Sequence, residues 1–224
     1  MNWTHTAIFR DRADAGRRLA MKLAPCCARA DVLVLALPRG GVPVAFEIAK
    51  ALHAPLDIFL VRKLGVPGQE ELAMGAVAAG NIGVLDQAVI RALAISEADV
   101  DRVTRKELHE LSILEGLYRG RLPKREVRDR SVILVDDGLA TGASMRAASL
   151  ALKQQRPARI AAAVPVASRA ACDELRSKVD EIFCLETPPH FRAVGQWYEN
   201  FAEVSDGEVG AILENAQRDL ARLW

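Results

Sequence analysis

Val132-Ile-Leu-Val-Asp-Asp-Gly-Leu-Ala-Thr-Gly-Ala-Ser-Met145 is the stretch that decides the fold. Four aliphatic residues in a row read as a strand buried on both faces, the habit of parallel sheets. The run stops at two consecutive carboxylates, Asp136 and Asp137, and a Thr-Gly-Ala-Ser turn then opens a helix running from Ser144 to Gln154. A helix N-terminus offers unpaired N–H groups and the positive end of its dipole to an anion, and small residues let a phosphate reach the backbone. Thr141 and Ser144 add hydroxyl donors. Asp136 and Asp137 repel phosphate but suit hydroxyls or a magnesium-bound group, so the segment fits a sugar phosphate with a polar ring face.

Working outward, Val32 to Leu37 and Ile58 to Val61 have the same short, continuous aliphatic character, each followed by a loop and a helical pattern. Weaker strands are expected over Ile160 to Val166 and Glu181 to Leu185, with a helix from Ser168 to Ser177 between them. Further helices are expected over Asp11 to Leu23, Val42 to Leu52 and Asp206 to Leu223. Strands and helices alternating at this spacing indicate a Rossmann-like α/β domain, a parallel sheet covered on both faces. One long helix interrupts the alternation. It is capped by Ser96-Glu-Ala-Asp99 and carries Val100, Val103, Leu108, Leu111, Leu114 and Leu117 at near-helical spacing. This insertion reads as a cap, a subunit contact or a scaffold helix.

Two more loops carry chemistry. Leu37-Pro-Arg-Gly-Gly-Val-Pro43 puts a cation and two glycines at the C-terminal end of a strand, where ligands of open α/β sheets bind. Gly40 and Gly41 expose N–H groups to an oxyanion, and Arg39 is suited to grip it with two donors. Val61-Arg-Lys-Leu-Gly-Val-Pro-Gly68 then places Arg62 and Lys63 at another strand end, before a glycine-rich, weakly apolar stretch containing Glu70 and Glu71. That stretch fits a closing flap that excludes water from a reactive centre.

The acidic pair and its turn resemble the motif by which type I phosphoribosyltransferases bind 5-phosphoribosyl diphosphate (PRPP). The resemblance implies that fold, one domain over residues 1–224, with a small hood at about 64–85 and a helical insertion at about 87–120. It implies that Asp136 and Asp137 meet the ribose hydroxyls while Ala140, Thr141, Gly142, Ala143 and Ser144 hold the 5′-phosphate. The Arg39-Gly40-Gly41 loop takes the place of the family's pyrophosphate loop, which often contains a non-proline cis peptide. Arg62 and Lys63 are similar to the basic pair of adenine-type members. The reaction implied is Mg²⁺-dependent transfer of a 5-phosphoribosyl group from PRPP to a nitrogen acceptor, with release of pyrophosphate. Arg39, Lys63 and Mg²⁺ then stabilise the leaving group, Asp136 and Asp137 support the electron-poor ribose, and the metal is held through PRPP with help from both carboxylates. Ala140 stands where hypoxanthine-guanine enzymes carry an Asp, which weighs against a 6-oxopurine acceptor. A PRPP-sensing regulator without transfer is the alternative the resemblance allows.

Composition narrows the rest. Of 224 residues half are hydrophobic, and 30 basic against 29 acidic side chains leave +1, which suits a folded domain with a small-molecule partner better than a nucleic-acid coat. Between Arg102 and Arg130 the basic excess reads as a solvated helix face. No apolar run approaches the roughly 18 to 20 residues of a membrane span, and a cytosolic homodimer is expected. Cys26, Cys27, Cys172 and Cys184 lack both disulfide-ladder and metal spacing and read as free thiols, and His5, His53, His109 and His190 show no ligand spacing. No Gly-Lys-Ser/Thr marks a Walker loop. For a planar acceptor the aromatic and polar side chains from Thr187 to Phe201 offer a pocket, with Tyr198 the chosen contact.

Overall fold

The computed structural model describes residues 7–27, 30–80, 82–119 and 124–222; His5, the end of the insertion at residue 120 and Leu223 lie outside them. Helix α1 (Arg12–Cys27) precedes β1 (Val32–Ala36), α2 (Gly41–Leu52) and β2 (Leu56–Ile58). Then come β3 (Val61–Val66), β4 (Gln69–Ala78), β5 (Ile82–Leu85), α3 (Gln87–Ala92) and α4 (Glu97–Arg119). The chain continues through β6 (Ser131–Val135), α5 (Ala143–Lys153), β7 (Arg159–Val166), α6 (Arg169–Leu175) and β8 (Glu181–Glu186). A 3₁₀ turn (Val194–Trp197) and α7 (Asp206–Ala221) close it.

Five strands form one parallel sheet in the order β2-β1-β6-β7-β8. Their continuous aliphatic runs are explained by burial on both sides. Val34, Ala36, Ile133, Val135, Ala161 and Ala163 pack with Leu19 and Ile48 of α1 and α2. Their neighbours Leu33, Leu35, Leu134, Ala162 and Val164 pack with Met145, Leu152 and Leu175 of α5 and α6. The strand after β1 in sequence lies on one side of it and β6 on the other, so the connections diverge between β1 and β6. That reversal leaves a crevice at the C-terminal ends of these two strands, the place where open α/β sheets bind ligands.

One expected strand is corrected. Ile58 to Val61 is not a single parallel strand: β2 stops at Ile58 and Val61 already belongs to β3, in a separate antiparallel sheet ordered β3-β4-β5. The backbone changes partners inside the apolar run. Phe59 N–H donates to Ala36 O at 2.9 Å, whereas Leu60 O accepts from Ala79 N–H at 3.1 Å. Ile58, Phe59 and Leu60 are all buried, so an unbroken apolar string hides the switch. The antiparallel sheet turns at Pro67-Gly68, where Gly68 takes φ +78°. It packs on α5 and on the insertion helix α4. Asp86 caps α3 by accepting from Ala88 and Val89, and Ser96 Oγ accepts from Asp99 N–H at 3.1 Å at the start of α4. No helix among the described residues is long and apolar enough to cross a membrane.

Candidate functional site

Asp136 and Asp137 sit at the C-terminal end of β6, and the two carboxylates differ in what surrounds them. Asp136 Oδ1 accepts from the Asp137 N–H at 2.8 Å. Burial holds its pKa well above the ordinary Asp value, and the Asp137 charge adds to the shift. Burial raises Asp137 as well, but Arg12 opposes it, with Nε 2.8 Å from Oδ2. Arg12 is a site residue that the sequence assigns only to a helix start. Its side chain is 11% exposed, donates to Ala202 O at 2.7 Å and lies 3.9 Å from the Phe201 ring centroid. No local signal distinguishes it from Arg10, Arg17 and Arg18.

The Arg39 loop meets the acidic pair directly, and its glycines are required by contact. A Cβ on Gly40 would stand 2.1 Å from Asp137 Oδ2, and one on Gly41 would stand 2.7 Å from Val135 O and 2.9 Å from Asp136 Cα. The Pro38–Arg39 peptide is cis. The Arg39 guanidinium pairs with Glu203 and reaches Asp206 Oδ1 at 3.6 Å, so in this conformation it is turned to the C-terminal segment. Asp206 Oδ1 also accepts from the Tyr118 hydroxyl at 2.6 Å, and burial followed by that hydrogen bond pushes the Tyr118 pKa up to about 12.

At the turn, Gly142 adopts φ +68° as the cap residue of α5, a left-handed conformation natural to glycine. Ala140, Thr141 and Ser144 are exposed and Ala143 is half-buried, while helix α6 braces the turn from behind. Ser168 Oγ donates to Ala140 O at 2.8 Å, and Arg146 Nη1 bridges Thr141 O at 2.6 Å and Glu174 Oε2 at 2.7 Å.

Arg62 and Lys63 are not at the end of a parallel strand, a consequence of the partner switch at Phe59-Leu60. They are consecutive residues of β3, so their side chains leave on opposite faces and do not form one grip. Arg62 lies between Glu107 and Glu110 of α4, at 3.4 and 3.5 Å. It also lines a cavity of about 130 Å³ with Leu37, Phe59, Leu111, Leu114, Tyr118 and Ser144. The cavity thus joins the Arg39 loop, the start of the antiparallel sheet, α4 and the Thr141–Ser144 turn.

Tyr198 is corrected as an acceptor contact. The structure brings it to the site, but its side chain is 5% exposed and packed between Phe9 and Phe201, with ring centroids 5.4 and 5.0 Å away. Its hydroxyl donates to Asp137 O at 2.6 Å. An enclosed ring with a committed hydroxyl positions the acidic pair and has no face left for a second substrate.

No cluster of three or more His, Cys, Asp or Glu among the described residues forms a self-contained metal cage. Asp136 and Asp137 are adjacent oxygen donors, a set that can hold a divalent ion only if further oxygen ligands come from outside the protein.

Residues 6–201 match the family model described as "Phosphoribosyl transferase domain". Two Mycobacterium tuberculosis proteins, each named "Putative phosphoribosyl transferase", are 45% identical to the chain over 214 residues, 96% of this chain and 48% of each relative. The chain spans about half the length of these curated relatives. The crystal structure of TT1426 from Thermus thermophilus superposes with a TM-score of 0.87 at 44% identity, covering 92% of this chain and 98% of that one.

Proposed function

Given that the chain belongs to the phosphoribosyl transferase domain family, we propose that it transfers the 5-phosphoribosyl group of PRPP to a small nitrogen-containing acceptor and releases pyrophosphate. The observation that carries this reading is the direct contact of the Arg39 loop with the acidic pair, Gly40 against Asp137, at the divergence of β1 and β6. A diphosphate, a ribose and a 5′-phosphate then have adjacent sites.

The turn from Ala140 to Ser144 takes the 5′-phosphate on the N–H groups of α5. Asp136 and Asp137 accept from ribose hydroxyls and support the positive charge that develops as the glycosidic bond breaks. Gly40 presents its backbone N–H to the diphosphate and Arg39 exchanges Glu203 and Asp206 for that ligand, whereas the expected Gly41 donor is corrected: its N–H is given to Leu37 O at 3.1 Å, and Gly41 serves by close packing on Val135 and Asp136. Lys63, on the facing antiparallel sheet, adds charge when that sheet closes as a hood. Mg²⁺ neutralises the diphosphate when bound; Asp136 and Asp137 would hold it together with substrate oxygens. Positioning and charge stabilisation supply the rate, and losing one donor at such a site costs on the order of 3 kcal/mol.

The acceptor belongs in the cavity between Leu37, Phe59, Leu111, Leu114 and Tyr118 rather than beside Tyr198. Its lining mixes apolar side chains with the polar groups of Arg62, Tyr118 and Ser144, the combination that a planar acceptor with hydrogen-bonding edges needs. The test is a screen for pyrophosphate release from PRPP and Mg²⁺ with a panel of nitrogenous bases, paired with calorimetric titration of PRPP. Release with one base establishes the transferase; tight PRPP binding without release from any base points to a sensor, and absence of PRPP binding sinks both readings.

A further inference from the structure

Of the basic pair on β3, Arg62 is left without a role in binding PRPP. It lines the cavity of about 130 Å³ together with Phe59 and the α4 residues Leu111, Leu114 and Tyr118. Positions 111, 114 and 118 share one face of α4, so the helix closes one side of that space. Arg62, Tyr118 and Ser144 supply its polar side chains, and two of them are already engaged. The Tyr118 hydroxyl donates to Asp206 Oδ1, and Ser144 lies in the first turn of α5, where the 5′-phosphate is read. Arg62 Nε, by contrast, is buried and has no hydrogen-bond partner among the described residues. Glu107 Oε2 lies 3.4 Å from it and Glu110 Oε2 lies 3.5 Å from Nη2, which balances charge but leaves the Nε donor unused.

We propose that the acceptor is a neutral, single-ring nitrogen heterocycle whose carbonyl oxygen accepts from Arg62, an assignment that rests on the transferase reading. Size sets the ring count. A protein cavity of about 150 Å³ holds one benzene ring, so the space here takes one small ring and excludes a fused bicycle. The idle donor sets the substituent, because a buried N–H without a partner favours a ligand that brings it a lone pair. Charge sets the ionisation state. One guanidinium stands against two carboxylates, so an acidic ring meets repulsion from Glu107 and Glu110 that a carbonyl avoids.

In the transfer, a ring nitrogen forms the bond to ribose C1, and the bond from C1 to the diphosphate oxygen breaks with its electron pair leaving on pyrophosphate. The N–H proton of the ring passes to water. Arg62 touches the acceptor and not PRPP, so it governs acceptor affinity while PRPP affinity is set elsewhere.

The test reads PRPP and acceptor separately in the full chain. PRPP with Mg²⁺ is titrated by calorimetry, and pyrophosphate release is followed with neutral single-ring lactams (pyrimidine-2,4-dione, pyrimidin-4-one and 2-pyridone), with pyrimidine-2,4-dione 6-carboxylate, and with hypoxanthine and adenine. At least one lactam should exceed the carboxylate and both bicycles in kcat/KM by about tenfold or more. Arg62→Met should raise the lactam KM roughly 10- to 100-fold and leave PRPP affinity as in the parent. Glu107→Gln with Glu110→Gln keeps Arg62 in place and should narrow the gap between the lactam and the carboxylate. Preference for hypoxanthine or adenine overturns the ring size, and preference for the carboxylate overturns the charge argument. An unchanged KM in Arg62→Met overturns the donor. Release from none of the bases overturns the assignment while PRPP binding stands, whereas absence of PRPP binding removes the transferase reading itself.

Discussion

Arg12 Nε donates to Asp137 Oδ2 at 2.8 Å across 125 residues of intervening chain. The same guanidinium reaches Ala202 O and rests on Phe201, so one side chain ties together three distant segments. Among the described residues, no such cation is in contact with Asp136 next door. The acidic pair therefore enters the ligand-free state with one charge compensated and one dependent on a substrate or metal.

Replacing Arg12 with Met leaves the buried Asp137 carboxylate without its partner, a change that costs about 3–5 kcal/mol where the charge persists. The carboxyl avoids part of that by holding its proton, so PRPP–Mg²⁺ affinity should fall at neutral pH and recover as pH rises. Calorimetric titrations of Arg12→Met and Arg12→Lys between pH 6 and 9 check this. Lys should retain part of the affinity, and a pH-independent loss in Met would point to misfolding instead.

Asp136→Asn should stabilise the ligand-free protein at neutral pH while removing most PRPP affinity. The folded pKa of Asp136 is raised, so its favourable contribution is complete below the unfolded value near 3.8 and is lost as pH climbs through the folded value. Above that window the charged group opposes folding. Thermal melts should show a gain for Asn at pH 7 that disappears in acid, each kcal/mol reading as about 2–4 °C. The double variant with Asp137→Asn should remain folded without measurable PRPP binding.

The turn and the loop depend on their glycines for different reasons. Gly142→Val places a β-branched residue at φ +68° and obstructs the approach of a phosphate, so ribose 5-phosphate soaked into crystals should no longer appear beside Thr141 and Ser144. Gly40→Ala instead drives a methyl into Asp137, and should shift that carboxylate and weaken PRPP even though φ is ordinary there.

Tyr198→Phe should destabilise the fold by about 1–3 kcal/mol, because the Asp137 carbonyl loses a buried donor. Urea unfolding measures this. Selectivity among acceptor bases should stay as in the parent, whereas Leu114→Trp, which fills the cavity, should cut turnover and leave PRPP affinity intact.

Residues 64–80 should exchange amide hydrogen readily without ligand and become protected by PRPP and Mg²⁺, as a lid over a reactive ribosyl centre requires. Equal protection in both states would contradict a closing hood.

What the sequence displays about this site is local. The run from Val132 to Met145 announces strand, acidic pair, turn and helix because each signal lies within a few residues of the next. Ser96 and Asp99 announce the insertion helix in the same way. Arg12, Glu203, Asp206 and Tyr118 carry no comparable mark, since their roles arise from contacts made across the fold. Tyr198 is legible as a residue near the site, but its aromatic character does not distinguish a stacking platform from a buried brace. Arg62 and Lys63 mislead for a simpler reason: four apolar residues in a row conceal the residue at which a chain leaves one sheet for another.

The pairing of Phe9 with Tyr198 also sets the order in which the site comes into being during synthesis. Ile8 and Phe9 donate to Trp197 O, and Phe9 and Arg10 return carbonyls to Glu199 and Asn200. The ribosome delivers Tyr198 61 residues after Asp137, so β1 and β6 are available to dock while the acidic pair still lacks its aromatic brace. A nascent chain halted before Gln196 would expose two crowded carboxylates and an unpaired edge at Phe9. Chaperone demand should peak in that interval and drop once the two distant segments are stitched together.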